Sequence, residues 1–452
     1  MRHNSTCVPA PPGARGRTAS RAPCASRAPC AARAIVQASL GIAALGAGTL
    51  GGAFTARAQS LSPPVTEPDD VAGNRKLPRY QPIGYDLRGF DILPSVRFGA
   101  RADDNVFFTP DHREADAQLQ VEPRLRITRK TKLSALAVDA SLRRSIYARL
   151  HDQDTTEYGL RAAFRRGNDQ AALAAEAGYR REVIQRGSVE NDLTAGPPLL
   201  RRVLDGALTG HKRFNRFALD ARAGVTWLRY ESVDGATSDQ RFRDGERYEG
   251  QLVASFDISA RTSVFAAGAY QRFDYRRSPA IGNRDADDWS GLIGVRYDLS
   301  RALIAQVGAG YRTHRFVDPR QRSISGPAIS AQLRYYPTRL LTVRGSVEQT
   351  VTTSPYDLVS AVTVTTGRAE LEYEYRRNVS LLAAGALTFE DYGHATYSAR
   401  TLSLSAGPVW RINNWLSAQA SVSYSQRFAQ GRGAPFDPYR QFGGMISLTV
   451  AR

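Results

Sequence analysis

Glu370, Glu372 and Glu374 stand at alternate positions, with the apolar Leu371, Tyr373 and Tyr375 between and after them. Spacing two places side chains on one face of an extended chain, and three carboxylates on one face repel unless cations on neighbouring strands answer them. The chain supplies such cations in the same phase. Arg97, Arg124, Arg126, Arg143, Arg180, Arg222, Arg296, Arg312, Arg334 and Arg344 fall at polar positions of apolar-polar runs, as do Glu122, Glu176, Asp220, Glu249 and Glu348. The chemistry this supports is electrostatic rather than covalent: charges facing one another across a water-filled space select ions or sugars. The same charges equally suit a polar interior that they solvate and salt-bridge.

Other residue types offer less. Asp103-Asp104-Asn105 carries oxygen ligands for a hard cation such as calcium, yet such a triplet is also a loop cap, and Asp285, Asp287 and Asp288 share both readings. No metal site is assigned and no cofactor is expected. The histidines His3, His112, His151, His211, His314 and His394 are scattered, and neither H-E-x-x-H nor G-x-S-x-G occurs. Only His314 falls near a strand end, where a barrel-wall hydrolase would need it beside a serine and an acid. The chain is therefore expected not to be an enzyme, with an outer-membrane lipid hydrolase as the catalytic alternative.

The elements that must position these residues are strands. In Asp287 to Phe316, DDWSGLIGVRYDLSRALIAQVGAGYRTHRF, residues Trp289, Gly291, Ile293, Val295, Tyr297 and Leu299 share one face, and Ser290, Gly294, Arg296 and Asp298 the other. After a turn at Ser300-Arg301, Leu303, Ala305, Val307, Ala309 and Tyr311 repeat the apolar row. Period two means strand, and aromatic residues at the ends of an apolar row suit the girdles of a transmembrane barrel. Tyr335, Tyr336, Trp410, Trp415 and Tyr424 are girdle candidates for the same reason.

Residues 1–58 carry seven arginines and no acid, and the apolar run from Ala34 to Thr55 precedes Ala56-Arg57-Ala58. This pattern is a signal peptide with an A-x-A cleavage site. Its removal lowers the net charge from +18 to +11 and takes away Cys7, Cys24 and Cys30, the only cysteines. What remains needs no disulfide framework and offers no thiolate chemistry. Its basic excess is spread along the chain, which argues against a nucleic-acid partner and fits a surface facing anionic lipopolysaccharide or sugar polymers. Residues 59–83 are polar and Pro-rich, the composition of a periplasmic linker. No run after Gln59 is long and apolar enough for a membrane helix.

From residue 84 to 452 the chain alternates short turns with longer polar loops, the rhythm of an all-β, transmembrane, antiparallel up-and-down β-barrel. The rhythm breaks between Arg186 and Asn215. Parity places a strand at Leu200 to Gly210, with a turn at His211 to Asn215, although VLDGALTG has poor strand propensity. With it the strands number about 18, with 16 as the alternative count; without it the number would be odd, which bacterial barrels avoid. Pro94, inside the first strand, predicts a bulge or looser pairing at the seam.

By these residues the chain resembles the outer-membrane beta-barrel proteins of proteobacteria called type 2 beta-barrel porins. Asp103-Asp104-Asn105-Val106-Phe107 after the first strand, the Phe214-Asn215-Arg216-Phe217 turn, and VGAGYRTHRFVDPRQRSISGPAISAQLRYYPTRLLTVRGSVEQT from Val307 to Thr350 carry the likeness. Gln441-x-Gly443-x-x-Ile446-x-Leu448 is similar to the C-terminal signal read by barrel-assembly machinery, without the usual terminal aromatic. The resemblance implies an outer-membrane protein of a Gram-negative bacterium, in contact with lipid and lipopolysaccharide, and some relatives are associated with exopolysaccharide systems. The expected function is a porin-like channel or conduit for small solutes or exopolysaccharide. The alternative is a structural or receptor barrel that uses its outer loops, with Arg186 to Pro198 and Glu231 to Glu246 as candidates.

Overall fold

The computed structural model describes residues 61, 71–75, 77–191, 195–231, 240–276, 282–300, 302–354, 356, 359, 361–393, 395–431, 434 and 436–452. The expected leader and its cleavage site, Arg301 and His394 fall outside them. The strands are β1 (Tyr85–Leu87), β2 (Phe90–Asp103), β3 (Asp116–Lys130), β4 (Ser134–Tyr147), β5 (Thr155–Gly167), β6 (Ala171–Val183), β7 (Leu200–Phe214), β8 (Phe217–Tyr230) and β9 (Gly245–Asp257). They continue as β10 (Thr262–Tyr275), β11 (Ala286–Ser300), β12 (Leu303–Phe316), β13 (Ile324–Thr338) and β14 (Leu341–Thr353). The last are β15 (Ala361–Arg376), β16 (Val379–Asp391), β17 (Ser398–Arg411), β18 (Leu416–Gln430) and β19 (Tyr439–Ala451). Each strand from β2 onward pairs antiparallel with its sequence neighbours. β19 returns to β2, from Gly443 opposite Asp103 to Ala451 opposite Ser95, so 18 strands close into a barrel. Closure pairs every wall edge, the condition for a sheet to sit in hydrocarbon.

One end carries turns of two to four residues and the other carries loops of six to sixteen. By analogy with outer-membrane barrels, the short turns mark the periplasmic end. Trp289, Ile293, Val295, Tyr297, Leu299, Val307 and Tyr311 all face out of the barrel, as the alternation requires. Tyr335, Trp410 and Trp415 also face out, but Tyr336 is buried on the inner side, one position out of phase with Tyr335, and does not belong to the girdle.

β7 exists where parity placed it, but it runs to Phe214 and leaves a two-residue turn, Asn215-Arg216. His211, Lys212 and Arg213 belong to the strand because β6 and β8 flank them with complete ladders; paired neighbours outweigh weak intrinsic propensity. Asn215 takes a positive φ of 53°, a conformation its short polar side chain tolerates.

Pro94 causes no bulge. β2 pairs with β3 without a break from Asp91 to Asp103, and the seam ladder with β19 simply ends one residue above Pro94. The Pro94 carbonyl accepts the Arg452 N–H at 3.2 Å, so its missing N–H points towards the seam, where the ladder is finished. Below that point β1 covers the free edge of β2, turning at Arg88-Gly89 with both residues at positive φ, as a two-residue hairpin prefers.

Candidate functional site

Because side chains alternate along every strand, the polar rows line the lumen, and the wall divides into two sectors. On β2 to β9 the inner face is a lattice of arginines and carboxylates. Glu122 accepts from Arg97 at 2.7 Å, Arg124 at 2.7 Å and Arg143 at 3.3 Å, and Arg143 passes on to Glu157 at 3.3 Å. Arg126 holds Asp139 at 2.6 Å. Arg222 bridges Glu176 at 2.5 Å and Glu249 at 3.5 Å. Towards the outer end Arg180 and Arg201 share Glu182, at 3.0 and 2.7 Å. Such a network is worth more than isolated surface pairs, because the buried carboxylates Glu122 and Glu182 are each answered by more than one arginine.

On β16 to β19 the inner face is mostly neutral and hydroxylated. Thr388, Thr401, Ser403, Ser405, Ser421, Ser423, Ser425 and Ser447 point inward in adjacent rows, joined by Gln419 and Gln441. Ser403 and Ser425 lie 3.4 Å apart, oxygen to oxygen. This sector was missed as a site because single serines carry no motif; the signal was their alternation with apolar residues on β17 and β18.

The glutamate triplet of β15 is answered unequally. Glu370 keeps 42 % of its side chain exposed, with Arg368 of its own strand 3.9 Å away and Arg344 opposite in register. Glu372 is buried and meets Arg344 at 3.5 Å. Glu374 is buried and takes both Nη1 contacts of Arg75, at 3.0 and 3.1 Å, from a segment upstream of the wall. Arg296 lines β11 between Ser263 and Gln306.

The loop at 184–199, between β6 and β7, is described at 184–191 and 195–199, and Gly187 to Glu190 turn into the lumen. Glu190 accepts from Thr352 of β14 at 3.1 Å and Arg201 of β7 at 3.2 Å, and its carbonyl accepts from Arg243 at 2.8 Å. The Gly187 carbonyl accepts the Tyr439 hydroxyl of β19 at 3.3 Å, and Val189 packs on Val362, Tyr392, Ala399 and Phe436. In the closed order β14 stands nearly opposite β6 and β19 five strands from it, so this loop reaches across part of the mouth. Burial works against ionisation of Glu190, but the charges of Arg201 and Arg243 outweigh it and hold the carboxyl below its ordinary range. Burial pushes the Arg186 guanidinium down to about 10; it lies over the Phe107 ring and donates to Gln153 at 3.1 Å. The loop expected to serve as a receptor surface is thus turned inward. Half of the other, residues 232–239, lies outside the described residues.

The remaining candidates have structural partners. Asp103 is held by Arg101 at 2.7 and 2.8 Å, Asp104 accepts the Phe442 N–H at 2.7 Å, and the Asn105 amide clamps the Thr109 and Arg440 carbonyls. Asp285 accepts the Tyr275 N–H at 2.7 Å, and Asp287 binds Arg272 at 2.9 Å. His314 is buried on the inner side, 3.3 Å from Asp288 and between Phe273 and Phe316. It faces away from lipid, and among the described residues no serine hydroxyl bonds its ring.

A family model described as "Putative beta-barrel porin 2" matches residues 77–448. Among solved structures the chain is similar to OpdK of Pseudomonas aeruginosa, crystallised with vanillate, at 8 % identity and a TM-score of 0.46, covering 80 % of this chain and 99 % of that one. It is also similar to the siderophore receptor PirA of the same organism, at 11 % identity and a TM-score of 0.42, covering 80 % of each. A bacterial polysaccharide outer membrane secretin is similar at 9 % identity and a TM-score of 0.36, covering 81 % of this chain and 99 % of that one. A search of curated proteins returns no match.

Proposed function

The chain belongs to the family described as putative beta-barrel porin 2, and on that premise we propose that it is a passive outer-membrane channel for small polar solutes, narrowed at its outer mouth by the loop at 184–199. The observation that carries this reading is the bridge from the end of β6 to two distant strands, Glu190 to Thr352 of β14 and Gly187 to Tyr439 of β19. A loop tied across the mouth divides it, which suits solutes of one or two sugar rings and disfavours a polymer in transit. The hydroxyl sector offers neutral donors and acceptors, and the facing arginine lattice offers charge, so polar solutes exchange hydration for wall contacts at little net cost. The outer girdle meets lipid and lipopolysaccharide, and the barrel would be delivered by a cleaved leader and barrel-assembly machinery.

Liposome swelling tests the reading. Vesicles containing the folded barrel should admit monosaccharides and exclude oligosaccharides beyond a few rings. Glu190→Ala with Tyr439→Phe, which unties both ends of the bridge, should raise the size limit. Equal entry of long oligosaccharides into vesicles bearing the parent chain would favour a polysaccharide conduit instead.

A further inference from the structure

The inner wall contains one surface that a water-filled lumen does not explain. Val253 of β9, Phe265, Ala267 and Ala269 of β10, Leu292 of β11 and Ala328 of β13 all point inward and are buried. Phe265 lies flat on the wall because Gly294 and Gly308 have no side chain; a Cβ at either would press on its ring. An apolar patch on a polar lumen is costly unless covered, and the residue packed into it is Leu61, 6 % exposed. Further along the same upstream segment, residues 71–75 form a tight turn against the periplasmic end of β14 and β15. The Asn74 and Arg75 N–H groups both donate to the Val71 carbonyl, at 3.2 and 3.0 Å, and Gly73 takes φ +86°. The Ala72 carbonyl accepts from the buried Thr342 hydroxyl at 2.9 Å, and Arg75 donates to Glu374 and to the Arg339 carbonyl at 3.1 Å. Gly73 sits so close that a Cβ would collide with the Glu372 carboxylate.

We propose that residues 71–75 are a stopper docked inside the periplasmic mouth, that Thr342, Glu372 and Glu374 are its docking site, and that its docked state limits flux. Residues 71–75 are then a part of the pore rather than of a tether hanging below it. Two of the three alternating glutamates serve this purpose: Glu374 binds the stopper's cation, and Glu372 forms the surface that only glycine can approach. The limit on flux rests on the channel reading above; the docking does not, and the two are tested separately.

With Cys7, Cys24 and Cys30 changed to serine, the pair Ala72→Cys and Thr342→Cys is the only thiol pair in the full chain. Mild oxidation of outer membranes should cross-link it, read as a mobility change on non-reducing gels. In planar bilayers the oxidised pair should stay at the low conductance of the parent, and reductant should have no effect beyond restoring the parent's fluctuations. Gly73→Leu and Arg75→Ala, which act on the turn and leave the wall untouched, should each raise conductance several-fold while the barrel keeps its heat-dependent gel mobility. A folded barrel that fails to cross-link would overturn the docking. Cross-linking together with unchanged conductance in Gly73→Leu and Arg75→Ala would overturn the limit on flux. Cross-linking in a protein whose every variant is silent would overturn the channel reading and leave the docking established.

Discussion

At the scale of single residues, the wall differs in how fully each charge is answered, and that decides what a substitution does. Glu122 is buried under three arginines, so Glu122→Gln takes the carboxylate from Arg97 and Arg124 and leaves Arg143 with Glu157 alone, whereas Arg124→Ala removes one partner of a carboxylate that keeps two. Breaking a buried charge network by its hub costs about 3 kcal/mol or more, and losing one half-exposed partner about 1 kcal/mol. Urea unfolding in detergent should therefore rank Glu122→Gln well below Arg124→Ala in midpoint. Glu370 makes the opposite case. With Glu372 and Glu374 engaged by Arg344 and Arg75, the exposed Glu370 is the member of the triplet that meets passing ions. Glu370→Gln alone should move the reversal potential towards anion preference, by more than Glu372→Gln; equal shifts would mean that all three carboxylates face the water path. Phase alone showed that these residues share a face. It could not show that Arg75, far upstream in sequence, reserves one of them, because that pairing depends on where a non-wall segment lies.

At the scale of elements, the loop at 184–199 is tied to the wall by polar contacts, one of them through the Glu190 carboxylate, and so responds to pH. The Glu190 carboxyl is held below its ordinary range. A depressed carboxyl contributes stability that is complete above its unfolded value, about 4.3, and is lost as pH falls through the lower folded value. Conductance should thus be flat from neutral pH down to about 5 and rise below about 4 as the loop undocks, and Glu190→Gln should remove that rise. A rise that persists in Glu190→Gln would place the titrating group elsewhere. The strands themselves were readable: alternation gave the faces of β11 and β12, and turn rhythm gave even the weak β7. β1 was not, since Tyr85–Leu87 is too short for a period to register and pairs only because β19 stops above it. β10 carried an unread signal. Phe265, Ala267 and Ala269 make its inner row as apolar as a lipid-facing row, which in a barrel means that something covers the inside.

At the scale of the molecule, 18 strands enclose a space that an inward loop and an upstream turn both enter, from opposite ends. The fold was legible because membrane barrels are built by repetition, so a local pattern repeated along the chain specifies the whole wall. The pore was not, because what narrows it is built from contacts that join residues far apart in sequence and break the repeat. The proposed channel requires a narrow, water-filled path through this barrel. Single-channel recording in planar bilayers tests it most directly, with the parent chain beside the doubly untied Glu190→Ala and Tyr439→Phe chain. The parent should give small uniform openings and the untied chain larger ones. Silence from both, in protein with the heat-dependent mobility of a folded barrel, would contradict it.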